Sequence, residues 1–354
     1  MKSKPITKAS PPAGKLYAAV DLHGDNGYYC VINHQDQVIY QKRLPNDLDL
    51  VLKALEPFRP HLVHGLAVES TFNWYWLVDG LQENRYAVQL VNPAKVESYG
   101  GLKNTNDRSD AYWLAHLQRL GILPTGYIYP KEQRGVRDLL RRRMLLVQQR
   151  TTHLLSFQSL VERQTGQAIS SNRIKAMAIS QVKTLLESPT ATLMGQANLR
   201  MIEALNGEIR ILEQTAENSV KLSPEYQILL TVPGIGRILA MTIMLETGPI
   251  GRFASASHYT SYGCCVKAEQ ISNGKKKGEN NRKCGNRYLA WALIEAANFA
   301  VRHDETIQRW HQRKLARCGG RKALAIKAVA AKLSKAIYYL LKEQKPFELK
   351  RIFG

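Results

Sequence analysis

Between residues 15 and 128, short apolar runs alternate with turn residues and with stretches of helical spacing. That alternation confines this part of the chain to a layered α/β domain. Tyr17–Leu22 (YAAVDL) reads as a strand, and the cluster His23-Gly24-Asp25-Asn26-Gly27 is a turn that feeds a second strand at Tyr28–Ile32. After Asn33–Asp36, Val38–Arg43 makes a third, so the domain opens as an antiparallel meander. Leu48–Leu55 has helical spacing and is ended by Pro57 and Pro60. Leu66–Glu69 and Tyr86–Val91 are two further short strands, separated by a helix from about Asn73 to Glu83. The expectation is a mixed sheet with helices packed on it.

From about 131 to 225 the pattern turns helical. Ile202, Leu205, Ile209, Leu212 and Ala216 step by three and four residues, the signature of a coiled coil, a long helical hairpin or a buried amphipathic helix. Pro224 in Leu222-Ser223-Pro224 marks a boundary. The C-terminal part opens with Leu230-Thr231-Val232-Pro233-Gly234-Ile235-Gly236 and an apolar helix to about Glu246, resembling a helix-hairpin-helix. Such a turn offers backbone N–H groups, at Gly234 and Gly236, to a phosphate oxygen. Residues 269–287 read as a Gly/Asn/Lys-rich loop, with helices from about Tyr288 to Arg302 and from about Lys322 to Lys342. A length of 354 residues accommodates two or three domains at about 150 residues each. They are expected at 15–128, 129–225 and 226–354, after a disordered basic tail at 1–14.

Charge narrows the partner. The chain holds 50 Lys+Arg against 29 Asp+Glu, a net +21, which on a folded protein points to a polyanion. Residues 269–354 alone carry 20 Lys+Arg against 7 Asp+Glu. A second concentration, including Arg141, Arg142 and Arg143, shares a helix with the apolar stripe Val136, Leu140, Met144, Val147 and Leu154. It suits either phosphate tracking or a solvated face. No run approaches the roughly 18 apolar residues of a membrane span, and Met1–Lys15 lacks the apolar core of a secretory signal. Five scattered cysteines without C-x-x-C pairing fit a reducing, cytoplasmic setting and argue against zinc.

Four carboxylates carry the chemistry. Asp21 interrupts an apolar strand and Glu69 ends another, positions costly for a charge without a compensating partner. Asp107, Asp110, Leu114 and Leu117 fall on one helical face, so both acids continue the stripe that packs on the sheet. Hard oxygens converging from two strands and a helix suit Mg²⁺, which can activate a nucleophile toward a phosphodiester. Each acid taken singly has an ordinary reading, as a turn residue or a helix N-terminal cap.

Asp21 in VDL, Glu69 in AVES, and Asp107 with Asp110 in NDRSDA resemble the DEDD tetrad of RuvC-like, RNase-H-fold nucleases. The N-D-R-x-D-A form, with TVPGIG, GRF, YGCC, SNG and K-C-G-N-R in the C-terminal half, is similar to the DEDD insertion-sequence transposases of the one-ten family and its eleven-eleven subgroup. The resemblance covers roughly residues 15–335. It implies a RuvC-like domain before the helical middle region and, after it, a transposase domain carrying a nucleophilic serine, which falls here on Ser272. It also implies a phosphoserine–DNA intermediate, Mg²⁺, donor and target DNA, and guidance by a structured element-encoded bridge RNA. Homodimers and homotetramers with a shared active site, associated with the bacterial nucleoid, complete the expectation. Ser272 lies in Ile271-Ser272-Asn273-Gly274-Lys275-Lys276-Lys277, where Asn273 departs from the family's usual glycine and Cys264-Cys265 from its more apolar stretch. Lys275, Lys276, Lys277, Arg282, Lys283 and Arg287 are candidate phosphate contacts, or solvated loop charge. The alternative function is a Holliday-junction-resolvase type of nuclease that uses the four carboxylates and water, with Ser272 dispensable.

Overall fold

The computed structural model describes residues 14–96, 107–266, 270–278 and 285–353. The expected basic tail lies, apart from Gly14, outside the described residues. The chain forms two compact units, one up to Lys131 and one from Glu132 onward.

The first unit is built on five strands: β1 (Leu16–Leu22), β2 (Asn26–Asn33), β3 (Val38–Pro45), β4 (Leu62–Glu69) and β5 (Val88–Val91), in the order β3-β2-β1-β4-β5. β1 and β2 pair antiparallel, as do β2 and β3, while β4 and β5 run parallel to β1. Alternate residues therefore serve opposite faces. Leu16, Ala18, Val20 and Leu22 pack against α1 (Leu48–Leu55) and α2 (Tyr75–Glu83) through Val51, Leu55, Leu77, Val78 and Leu81. Tyr17 and Ala19 join Cys30, Ile32, Ala67 and Val91 on the other face. There the short α3 (Pro93–Val96) and α4 (Asp107–Arg119) contribute Val96, Ala111, Leu114, Ala115 and Leu117. The result is a mixed sheet with helices on both sides.

One irregularity ties this unit together. The β1–β4 register shifts between Leu16 and Ala18, where Gly65 sits at φ +69°. The Ala87 carbonyl approaches so closely that any side chain at 65 would collide with it. The Ala18 N–H donates instead to the buried Gln118 side chain of α4 (3.0 Å), whose amide donates to Gln89 (3.1 Å). β4 thus begins four residues before the sequence pattern suggested. β5 begins two residues later than the sequence pattern suggested, at Val88, after Arg85 in a left-handed conformation and a Tyr86 N–H that bonds back to the Leu81 carbonyl of α2.

The second unit is helical: α5 (Lys131–Thr165), α6 (Ser171–Lys175), α7 (Val182–Leu185), α8 (Pro189–Val220), α9 (Pro224–Leu230), α10 (Arg237–Thr247) and α11 (Ala256–Tyr262), then α12 (Arg287–His303), α13 (Glu305–Arg317), α14 (Lys322–Glu343) and α15 (Leu349–Phe353). Arg143–Glu213 (2.7 Å), Arg150–Asn206 (2.8 Å) and His153–Asn198 (3.0 Å) pair α5 with α8 antiparallel. The Ile202/Leu205/Ile209 seam is buried against Leu146, Leu154 and their neighbours within the same chain, as a helical hairpin. Ile174 of α6 and Val182 of α7 pack into that hairpin, while α9, α10, α11, α13 and α15 gather around α12 and α14, whose alanine-rich faces (Ala292, Ala296, Ala300; Val329, Ala330, Leu333) allow close packing. α13 escaped the hydrophobic pattern because only Ile307 is buried along it, and it is started by the Asp304 cap. No helix among the described residues is long and apolar enough to cross a membrane.

Candidate active site

Strand parity builds the site. Val20 pairs with Val68 across β1 and β4, so Asp21 and Glu69 are neighbours on the face that receives α4. Asp107 opens α4, and Asp110 lies one turn on, in line with the buried Ala111, Leu114 and Leu117. The four predicted acids therefore come together. Asp21 hydrogen-bonds Glu69 and feels the charges of Asp110 and Asp107. Burial raises the Asp21 carboxyl above its ordinary value, and Asp110 and Asp107 add to that, while the Glu69 hydrogen bond and His23 oppose it. A buried anion held among other anions is in want of a cation.

His23 is the member that the sequence pattern placed in a turn. It follows Asp21 by two residues, the spacing that keeps strand neighbours on one face. Its Nε2 lies 3.4 Å from Asp21 Oδ2 and 3.6 Å from Asp107 Oδ2. That atom is shielded from solvent and makes no hydrogen bond. One ligand atom each from Asp21, His23 and Asp107 lies within 4.8 Å of the others. This donor set fits a divalent cation that accepts oxygen and imidazole. Asn46 and Asn73 donate to the His23 carbonyl at 3.1 and 2.8 Å and hold the turn in position. Arg43 of β3 pairs with Asp107 at 2.6 Å. The D-x-H spacing was the available signal for His23. The asparagines act through tertiary contacts and left none.

The Ser272 region differs from the expected loop. Gln270–Ser272 and Lys275–Gly278 form a β-hairpin, β6 and β7, with Ser272 paired to Lys275 across the turn. Asn273 and Gly274 both have positive φ (50° and 69°), the conformation that an Asn-Gly pair supplies in a two-residue hairpin turn. Asn273 is thus suited to its position in place of glycine. Lys275, Lys277 and Arg287 are exposed, whereas Arg282 and Lys283 lie outside the described residues. Of the nearby serines, Ser255 is spent capping α11.

Two of the three clustered arginines have internal work. Arg141 makes a bidentate pair with the buried Glu246 (2.7 and 2.8 Å), and Glu246 also accepts from Asn286 at 2.7 Å. Arg143 pairs with Glu213. Both therefore have intramolecular partners, and Arg142 is the exposed one of the three. Gly234 has a packing role: at φ +83° its bare Cα faces the Ala296 and Ala300 backbone of α12, 2.4 Å from where a Cβ would sit. Gly236, at the start of α10, has open space around it. Both line a cavity of about 670 Å³ with Arg237, Phe299 and His303.

A carboxylate cluster on a mixed sheet, within a strongly basic chain, is suited to metal-assisted chemistry on a phosphodiester. Comparison with known proteins is more specific. Residues 18–164 match a transposase family model of the DEDD IS110 type, and residues 226–312 match the model described as transposase IS116/IS110/IS902 family. The transposase for insertion sequence element IS1111A of Coxiella burnetii is 24% identical over 93% of this chain and 90% of its own length. The pilin gene-inverting proteins of Moraxella lacunata and Moraxella bovis are 23% and 24% identical, each over 96% of this chain and 99% of theirs. The chain belongs to the IS110/IS116 family of DEDD transposases.

Proposed function

We propose that this transposase cleaves and rejoins DNA with two chemical parts. Asp21, Glu69, Asp107 and Asp110, with His23 beside them, hold Mg²⁺. Ser272 supplies the nucleophile. The observation that carries the reading is the convergence of the four carboxylates around buried Asp21. The strand order β3-β2-β1-β4-β5 supports a RuvC-like, RNase-H-type domain at 15–128. A helical, coiled-coil-like region at 129–225 and a transposase domain at 226–354 complete the proposed organisation.

Bound Mg²⁺ would neutralise charge developing on the phosphodiester. The Ser272 hydroxyl gives up its proton and its Oγ attacks phosphorus. The P–O bond to one deoxyribose breaks, and the departing oxygen takes a proton. A hydroxyl from the exchanging strand then attacks the phosphoserine and releases Ser272, so bond energy is conserved across two transesterifications. Lys275 and Lys277, exposed beside the hairpin turn, would hold the phosphate backbone. Lys276, Arg282, Lys283, Arg287, Arg142 and Gly236 are the further nucleic-acid contacts of this proposal. An element-encoded bridge RNA pairing with donor and target DNA is the proposed guide. Homodimers that associate into homotetramers are the proposed assembly. Exposed Leu155, Leu193, Met194 and Met201 on the α5–α8 hairpin support self-association.

The test is to incubate protein, Mg²⁺, DNA and candidate RNA and look for a covalent protein–DNA adduct. An adduct that disappears in Ser272→Ala and in Asp21→Ala supports the reading, and an adduct that survives Ser272→Ala refutes the serine. Cleavage without any adduct would favour the resolvase-type nuclease, with water as nucleophile.

A further inference from the structure

The loop after β4 carries an aromatic side chain that takes no part in the chemistry of the carboxylates or the serine. Phe72 is 87% exposed, although an apolar ring of that size normally gains from burial. Its neighbours are not loose. The Thr71 N–H donates to the Glu69 carbonyl at 2.9 Å, and the Thr71 hydroxyl to Asn73 Oδ1 at 2.9 Å. Asn73 in turn donates to the His23 carbonyl at 2.8 Å. Trp74 and Trp76, two and four residues on, pack against the core, so the aromatic character of this segment is divided between inward anchors and one outward ring. The ring stands by Gly24, its Cζ 3.8 Å from where a side chain at that position would begin. Gly24 adjoins His23 of the carboxylate cluster. A hydrogen-bonded loop thus holds a bare π-face at the edge of the acidic centre.

We propose that Phe72 is a stacking residue for a nucleobase of the DNA strand whose phosphate lies at Asp21, Glu69, Asp107 and Asp110. Every base offers a π-face, so such a contact tolerates any sequence, and it fixes the position of the adjoining phosphate by holding the base beside it. It needs the target nucleotide unstacked or single-stranded. The inference rests on the carboxylate reading for which phosphate is held, and its test is kept separate from cleavage.

The probe is a single-stranded DNA oligonucleotide carrying 5-iodouracil, bound in Ca²⁺ and irradiated, with the crosslinked peptide identified by mass spectrometry. The crosslink should map to Phe72, persist in Phe72→Tyr and vanish in Phe72→Leu. Phe72→Leu should bind the oligonucleotide roughly tenfold more weakly, with an unchanged melting temperature because the ring packs on little. Crosslinks elsewhere with Phe72 unlabelled, or wild-type affinity in Phe72→Leu, would overturn the proposal. Preferential labelling of Phe72 by the matching RNA oligonucleotide would overturn it too. Failure of the carboxylate reading shows separately, as undiminished strand cleavage by Asp21→Ala.

Discussion

Asp21 is where stability and function pull against each other. Its proton is bound more tightly in the folded protein than in the unfolded chain, because burial and neighbouring carboxylates raise it. The metal-free fold therefore loses stability as pH rises from the ordinary carboxylate range through that raised value. Asp21→Asn removes the buried charge, so at pH 7 the metal-free variant should melt higher than the wild type, and added Mg²⁺ should no longer raise its melting temperature. Thermal scans with and without EDTA decide this, and a lower melting point for the metal-free variant would contradict it. His23 makes a different prediction. If its Nε2 joins the two carboxylates in holding a cation, His23→Ala should weaken Mn²⁺ binding by roughly tenfold in calorimetry. Mn²⁺ is the informative probe because imidazole suits it better than Mg²⁺.

At the scale of elements, the turn before α10 and the anchor of α12 are the points where single changes should cost most. Gly234→Ala would drive a methyl into the α12 backbone from a left-handed residue. A loss of about 2–4 kcal/mol is expected in urea denaturation. Glu246→Ala would strand the Arg141 guanidinium and remove one of the two side-chain acceptors of the Asn286 amide. It should cost about 3–5 kcal/mol, whereas Arg142→Ala should change stability by less than about 0.5 kcal/mol. These elements also mark what sequence alone could convey. Short apolar runs bounded by turn residues exposed the five strands, because a sheet covered on both faces buries consecutive residues. The 3–4 stepping exposed the α8 seam, because burial on one face of a helix writes a period into the residues. The serine hairpin was hidden behind lysines, although Asn273-Gly274 is itself a hairpin signal. Arg141 and Gly234 were readable as residue types only. Their partners, Glu246 and α12, are 105 and about 60 residues away, and pairings of that range leave no local pattern.

For the whole molecule, the positive charge sets how binding responds to salt. Neutralising one phosphate-binding cation should reduce the slope of log affinity against log salt by about 0.9 for duplex DNA. Replacing Lys275, Lys277 and Arg287 with Gln should therefore flatten the slope by about 2–3, measured by fluorescence anisotropy across salt concentrations. Replacing Arg141 should not. The first unit has a further property that follows from Gln118. Its side chain takes the Ala18 N–H of β1 and reaches Gln89 of β5 from α4, so one amide joins the strand that bears Asp21 to the helix that bears Asp107 and Asp110. The carboxylates are therefore not a portable cassette. A chimera that imports α4 from a relative lacking an amide at this position would inherit the acids and lose their alignment, and restoring glutamine there would be the first repair to make.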